Sequence, residues 1–179
     1  KDADCGDVNV TVGRVPFSYN EGFETDFGKW DNNTGFSRTT SRSKEGSYSI
    51  ESEDNEGYII YRVPETDHEY LILNWDVYPD AVESTDDLLV EWYDGSAWQT
   101  IRAYNGDNQD WAEYSWNHQT LQINSSDYDF DSKSKIRFQI DCSVDNDVYF
   151  LDNITVSYST STVLSENSSV TPFYTNTSN

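Results

Sequence analysis

Short segments in which apolar and polar residues alternate fill most of this chain. Such alternation is typical of a β-strand with one buried face. In segment 135–142, for example, the predicted inward residues are Ile136, Phe138, Ile140 and Cys142. The same pattern predicts strands at residues 48–52, 57–63, 71–78, 88–93, 98–103, 112–116, 135–142 and 149–157.

The segments between these strands carry turn residues, such as Asp94-Gly95 and Asn105-Gly106. No long window shows a helical apolar stripe, and residues that disfavour helices are frequent. We therefore predict an all-β fold: a two-sheet antiparallel β-sandwich of the jelly-roll, concanavalin-like type. An extra N-terminal strand and an extended C-terminal tail complete the prediction.

Three regions differ in composition. Residues 1–19 form a predicted leader with one alternating strand, whose inward residues are Val8, Val10 and Val12. Residues 20–158 form the predicted jelly-roll domain. Residues 159–179 are a tail rich in Ser, Thr and Asn.

The chain is strongly acidic, with 33 acidic and 11 basic residues among 179 and a net charge of −22. This excess argues against nucleic acid and anionic membranes as partners, because basic patches bind both. No apolar run is long enough for a transmembrane helix. Aromatic residues make up 15% of the chain, which indicates a folded protein rather than a disordered acidic one.

Several features predict a secreted or cell-surface protein. The chain begins at Lys1 and contains no Met, which we interpret as removal of a signal peptide. Six Asn-x-Ser/Thr motifs predict N-linked glycans, where chance gives about three. They begin at Asn9, Asn32, Asn124, Asn153, Asn167 and Asn176.

Cys5 and Cys142 are the two cysteines of the chain. Outside the cell they favour one disulfide, within a subunit or between subunits, and the alternative is two free thiols.

An acid interrupts the last predicted strand. The expected inward row is Phe150, Asp152, Ile154 and Val156, and a buried carboxylate needs a partner. Far upstream, Glu24 follows a turn and an aromatic residue. A metal ion that joins the two acids is one interpretation; ordinary surface or N–H-capping acids are the other.

The motifs around these acids resemble those of MAM-like domains and of related carbohydrate-binding-module jelly rolls. They are Gly22-Phe23-Glu24 with Phe27 and Trp30, the segment 41–50, and Phe150-Leu151-Asp152-Asn153-Ile154. The cysteines typical of MAM domains near the opening acid are absent, and Asn153 replaces the second closing acid, so the chain is more similar to microbial surface proteins. The resemblance implies a structural Ca²⁺ (or Na⁺) at Glu24 and Asp152, with carbonyls from loop 41–47.

No catalytic motif is present, and His68 and His118 have no metal-ligand spacing around them, so we predict no enzyme activity. Among the tryptophans, Trp92 and Trp98 are expected to pack in the core. Trp111 is the predicted contact for a glycan.

Two functions compete. The preferred interpretation is a homopolymer: an adhesive filament or surface-layer subunit that donates a terminal strand, Val8–Val12 or a segment of the tail, to its neighbour. The alternative is a carbohydrate-binding module of a secreted enzyme.

Overall fold

The computed structural model describes residues 17–52, 56–64, 68–105, 111–142 and 147–159. These residues form eleven β-strands and no helix. In chain order the strands are β1 (Phe17–Glu21), β2 (Trp30–Thr34), β3 (Phe36–Thr39), β4 (Ser49–Ser52), β5 (Glu56–Arg62), β6 (Tyr70–Asp80), β7 (Asp87–Tyr93), β8 (Trp98–Asn105), β9 (Asn117–Asn124), β10 (Lys135–Asp141) and β11 (Val148–Ser159).

The strands form two antiparallel sheets. A six-stranded sheet has the order β3-β4-β11-β6-β9, with β1 paired to the second half of β11. A five-stranded sheet has the order β2-β5-β10-β7-β8. Successive strands often cross from one sheet to the other, which is how a jelly roll is connected. The predicted two-sheet sandwich is confirmed.

The core lies between the sheets, where the inward rows of both meet. The predicted inward residues of β6, β7 and β10 are all buried: Leu71, Leu73, Trp75, Val77, Leu88, Val90, Trp92, Ile136, Phe138 and Ile140. Burial of each such side chain contributes roughly 1.5–3 kcal/mol to folding. The alternation in these segments therefore predicted both the strands and their orientation.

The strand predicted at residues 112–116 is wrong. That segment is a turn, in which the Asn117 side chain accepts the Ala112 N–H at 2.8 Å and donates to the Ala112 and Ser115 carbonyls. The strand β9 follows it. Polar residues dominate β9 because most of its side chains face solvent, so its sequence lacks a clear apolar row.

The inward row predicted for β11 is confirmed at Ile154 and Val156, which lie in the core, and wrong at Phe150 and Asp152. Tyr149 and Leu151 point into the core, and the register shifts between Asp152 and Thr155. Asn153 adopts φ 50°, a left-handed conformation that Asn tolerates, and forms a β-bulge there. Phe150 and Asp152 consequently lie on the opposite face of the sheet from the core.

Predictions for the two ends fall largely outside the described residues. This applies to Val8, Val10, Val12, Cys5, Asn9, Asn167 and Asn176. β1 spans the predicted boundary between leader and domain.

Candidate functional site

The outer face of the five-stranded sheet carries three aromatic side chains, on strands β5, β7 and β8. Residues on β7 alternate, and because Trp92 is fully buried, Tyr93 points outward. Tyr93 pairs with Trp98 across the β7–β8 hairpin, so both rings lie on the same side, 5.2 Å apart. Tyr58 lies on this side of β5. We call these three rings, together with Arg137 and Glu91, the aromatic face.

A charged pair occupies the centre of the aromatic face. Arg137 Nε donates to Glu91 Oε2 at 2.5 Å, and the two side chains are only 16% and 8% exposed. The guanidinium also lies 4.2 Å from the Trp98 ring and 5.6 Å from the Tyr58 ring. A cation at these distances is attracted to the ring faces. The contacts fix the orientation of both rings and leave donors and acceptors beside them.

A cleft of about 490 Å³ opens beside this pair. Its lining residues are Thr34, Glu56, Gly57, Tyr58, Arg137 and Gln139. Gly35 has φ 73°, and a Cβ on it would lie 2.6 Å from the Gly57 Cα. Only glycine permits this close approach between the residue after β2 and Gly57 of β5, which lines the cleft.

Charge changes along the aromatic face. At one end Glu56, Asp141 and Asp87 are direct cross-strand neighbours, and at the other end Arg62 pairs with Lys135. Burial raises the pKa of Asp87, and the nearby Asp141 and Asp86 carboxylates raise it further. The acidic end therefore disfavours anionic ligands.

Glu24 and Asp152 together hold the loop before β4. Asp152 Oδ2 accepts the N–H groups of Lys44 at 2.7 Å and Glu45 at 3.1 Å. Glu24 Oε1 accepts those of Ser47 at 2.9 Å and Tyr48 at 3.0 Å. The resemblance implied that this loop supplies carbonyl ligands to a metal, whereas the contacts that the structure shows are from its amide N–H groups to the two carboxylates.

The two carboxylates differ electrostatically. Burial raises the pKa of Asp152, although the N–H groups of Glu45, Lys44 and Asn153 oppose the rise. The N–H groups of Tyr48 and Ser47 lower the pKa of Glu24. Each carboxylate is thus satisfied by backbone donors, as the N–H-capping interpretation requires.

A neighbouring cleft of about 380 Å³ offers oxygen ligands. It is lined by Asn20, Gly22, Glu24, Glu45, Gly46 and Asn153. Carboxylate, amide and carbonyl oxygens are what Ca²⁺ prefers, so the donor chemistry suits this ion. Within the described residues, no group of three or more His, Cys, Asp or Glu side chains has metal-binding geometry. Calcium at Glu24 and Asp152 stays a prediction.

The structure places two tryptophans differently from the sequence prediction. Trp111 is half-buried, stacks on Tyr104 at 4.5 Å and meets the Tyr149 ring edge-on at 5.8 Å. Its ring packs against the core, and contact of Trp111 with a glycan stays a prediction. Trp98, expected in the core, lies on the aromatic face. The register of the β7–β8 hairpin is the signal that would have placed Trp98 correctly. The turn after Tyr93 pairs Trp98 with Tyr93, and Tyr93 points outward because the preceding Trp92 is buried.

Two of the predicted glycosylation sites that the structure describes have side-chain amides that donate hydrogen bonds within the protein. The Asn153 amide donates to Asp76 Oδ2 at 3.2 Å, and the Asn124 amide donates to Asp127 Oδ2 at 3.4 Å. Asn32 belongs to β2. N-linked glycosylation stays a prediction.

Cys142 is buried and has no disulfide partner among the described residues, and burial together with nearby carboxylates raises the pKa of its thiol to about 12. Because Cys5 lies outside the described residues, a disulfide between the two stays a prediction.

Several solved structures share this fold. The CBM22-1 xylan-binding domain of Xyn10C from Paenibacillus barcinonensis has a TM-score of 0.57 and 13% identity, over 79% of this chain and 93% of that one. TmCBM61, in complex with β-1,4-galactotriose, has a TM-score of 0.50 and 13% identity, over 75% and 92%. The K2 cleaved adhesin domain of Lys-gingipain has a TM-score of 0.54 and 11% identity, over 80% and 98%.

The chain has the fold of carbohydrate-binding modules. Its predicted resemblance to module jelly rolls is thereby confirmed at the level of the fold. No protein-family model and no curated protein matches the chain. Function therefore has to be argued from the site.

The interpretation as a filament subunit is wrong. Beside one adhesin domain, the structures that share this fold include several carbohydrate-binding modules, among them those of xylanases, and these support the alternative prediction instead.

Proposed function

We propose that this chain is a non-catalytic carbohydrate-binding module, whose aromatic face binds a neutral polysaccharide. The observation that carries the proposal is the arrangement of Trp98, Tyr93 and Tyr58 around the Arg137–Glu91 pair on the outer side of one sheet. The C–H faces of a sugar ring stack on aromatic rings, and its hydroxyl groups bond to charged and amide side chains. The aromatic face offers both kinds of contact side by side.

The charge of the face narrows the ligand class. The acidic row of Glu56, Asp141 and Asp87 repels uronic acids and sulfated sugars, since like charges at close range are unfavourable. A neutral, β-linked chain such as xylan or galactan fits best. This choice agrees with the ligands named for the CBM22-1 domain and for TmCBM61.

Location and finer family assignment belong to the same proposal. The neighbours include modules of xylanases and an adhesin domain, which support a secreted or cell-surface protein. The MAM-like, microbial type is proposed from the sequence motifs alone. The described residues contain no helix with the length and apolarity needed to cross a membrane. We also propose the structural Ca²⁺ at Glu24 and Asp152 and N-linked glycans as parts of this protein.

Isothermal titration with xylohexaose, cellohexaose and β-1,4-galactotriose tests the proposal. We expect at least one to bind, and Trp98→Ala to weaken that binding by about 30-fold, the effect of a 2 kcal/mol hot spot. Phe17→Ala is the matched control, because Phe17 is an exposed aromatic residue on the other sheet. Equal affinity of the wild type and Trp98→Ala would contradict the proposal. Release of new reducing ends from these oligosaccharides would contradict the proposal that the chain is non-catalytic.

A further inference from the structure

A second group of aromatic and charged side chains lies on the opposite sheet, at the turn before β9. Tyr114 is 57% exposed, the most exposed large hydrophobic side chain among the described residues. Trp116 is half-buried and meets Tyr78 of β6 edge-on at 5.7 Å. Arg42 lies 4.4 Å from the Tyr78 ring and donates to Asp80 Oδ2 at 2.7 Å. We call these five residues the Tyr114 corner.

The turn holds Tyr114 in a strained backbone conformation with its side chain exposed. Its φ of 58° is in the left-handed region, which bulky residues rarely adopt and which the surrounding structure must enforce. Here the Tyr114 N–H donates to the Pro79 carbonyl at 3.0 Å, and the Asn117 side chain bonds to the turn on both sides of Tyr114. Strained backbone of this kind is often found at ligand-binding positions.

The polar groups of the corner suit hydroxyl groups. The Arg42 and Asp80 side chains pair with each other yet remain 39% and 27% exposed, so their outer donors and acceptors are accessible. An accessible ring beside an accessible ion pair offers a stacking surface and hydroxyl partners, which is what a pyranose requires.

The size and charge of the corner favour a sugar over a protein. A stable protein interface buries more than about 1,000 Å², whereas one exposed ring and one half-buried indole present far less. A second copy of this chain is disfavoured as well, because Glu113 borders the corner and each copy carries a net charge of −22.

We propose that Tyr114, Trp116 and the Arg42–Asp80 pair form a second saccharide-binding site that takes one neutral pyranose ring. Tyr114 provides the stacking surface and the ion pair binds the ring hydroxyls. Because this site and the aromatic face lie on opposite sheets, a short oligosaccharide cannot occupy both. Two separate chains of an insoluble polysaccharide can, and simultaneous binding then raises the apparent affinity.

Residue-specific NMR titration tests the second site independently of the first. ¹⁵N-labelled protein is titrated with methyl β-D-xylopyranoside, methyl β-D-glucopyranoside and methyl β-D-galactopyranoside up to tens of millimolar, where weak single-ring binding saturates. The Trp116 indole and Tyr114 amide signals report the corner, and the Trp98 indole signal reports the aromatic face. We expect at least one sugar to produce saturable shifts at Trp116 and Tyr114.

Tyr114→Asn is the decisive variant, because Asn tolerates the left-handed conformation and preserves the turn. It should weaken binding at Trp116 at least tenfold and leave the Trp98 response unchanged, while Phe17→Ala should alter neither. The proposal is overturned if no sugar produces saturable shifts at Trp116 and Tyr114, or if Tyr114→Asn retains them. Shifts at Trp98 alone would refute the second site and leave the proposed function intact. Shifts at Trp116 alone would count against sugar binding at the aromatic face and leave the second site supported.

Discussion

Removal of one partner from the Arg137–Glu91 pair should destabilise the domain strongly. The substitution Arg137→Met keeps most of the aliphatic volume but leaves the Glu91 carboxylate, only 8% exposed, without its cation. Breaking a fully buried ion pair costs about 3–5 kcal/mol. Because the Arg137 side chain retains 16% exposure, we expect about 2–4 kcal/mol for this pair. For a chain of this size, that lowers the melting temperature by roughly 5–15 °C.

A double-mutant cycle isolates the pair, with thermal unfolding followed by circular dichroism. Glu91→Gln in the Arg137→Met background removes the uncompensated charge, so the double variant should regain about 1–3 kcal/mol relative to additivity. Arg62→Met is the matched control, because Arg62 pairs with Asp31 on the same sheet at 3.1 Å but both side chains are mostly exposed. That control should cost less than about 1 kcal/mol. The reasoning fails if Arg137→Met costs no more than Arg62→Met, or if Glu91→Gln gives no rescue.

Three further predictions concern carboxylates. Asp152→Ala removes three hydrogen bonds from backbone N–H groups to a buried carboxylate and should lower the free energy of unfolding in urea by about 3 kcal/mol. An unchanged urea midpoint would refute the role of Asp152 in holding the loop. Ca²⁺ at a hundredfold excess over its Kd should stabilise the wild type by about 2.7 kcal/mol, and a double Glu24→Gln, Asp152→Asn variant should show no shift in melting temperature with Ca²⁺. The raised pKa of Asp87 means that the folded state binds more protons than the unfolded state just above the ordinary pKa of Asp, so its contribution to stability falls as pH rises. Asp87→Asn should therefore raise the melting temperature at neutral pH but not near pH 3, and equal shifts at both values would refute this.

Alternation predicted the strands whose inward rows are complete. β6, β7 and β10 each bury an uninterrupted apolar row, so the sequence identified their positions and faces. The pattern does not predict β1, β2, β3 or β9, because these strands lie at sheet edges and carry mostly polar side chains. Their positions depend on pairing with β11, β5, β4 and β6, which a local pattern does not contain.

The bulge in β11 breaks the alternation of inward and outward residues along the strand. Asp152 is buried as predicted, but on the outer face of the sheet beneath the loop it holds. One extra residue reverses the alternation, and a sequence read with a constant period cannot place that residue. Only the pairing of Asp152 with Asp76 and of Thr155 with Asn74 reveals it.

The candidate site was missed for a related reason. Arg137, Glu91 and Tyr58 are far apart in sequence, and cross-strand register alone brings them together. The polar residues that surround Trp111 in the sequence predict an exposed ring. Its ring instead closes the core against Tyr104 and Tyr149.

Chemical-shift mapping with xylohexaose, cellohexaose and β-1,4-galactotriose tests the central claim most directly. If the aromatic face binds a neutral glycan, the shifts of a bound oligosaccharide should centre on Trp98, Tyr93 and Arg137 and leave the outer residues of β9 unchanged. Shifts that are absent for all three sugars, or that centre away from the five-stranded sheet, would contradict the account.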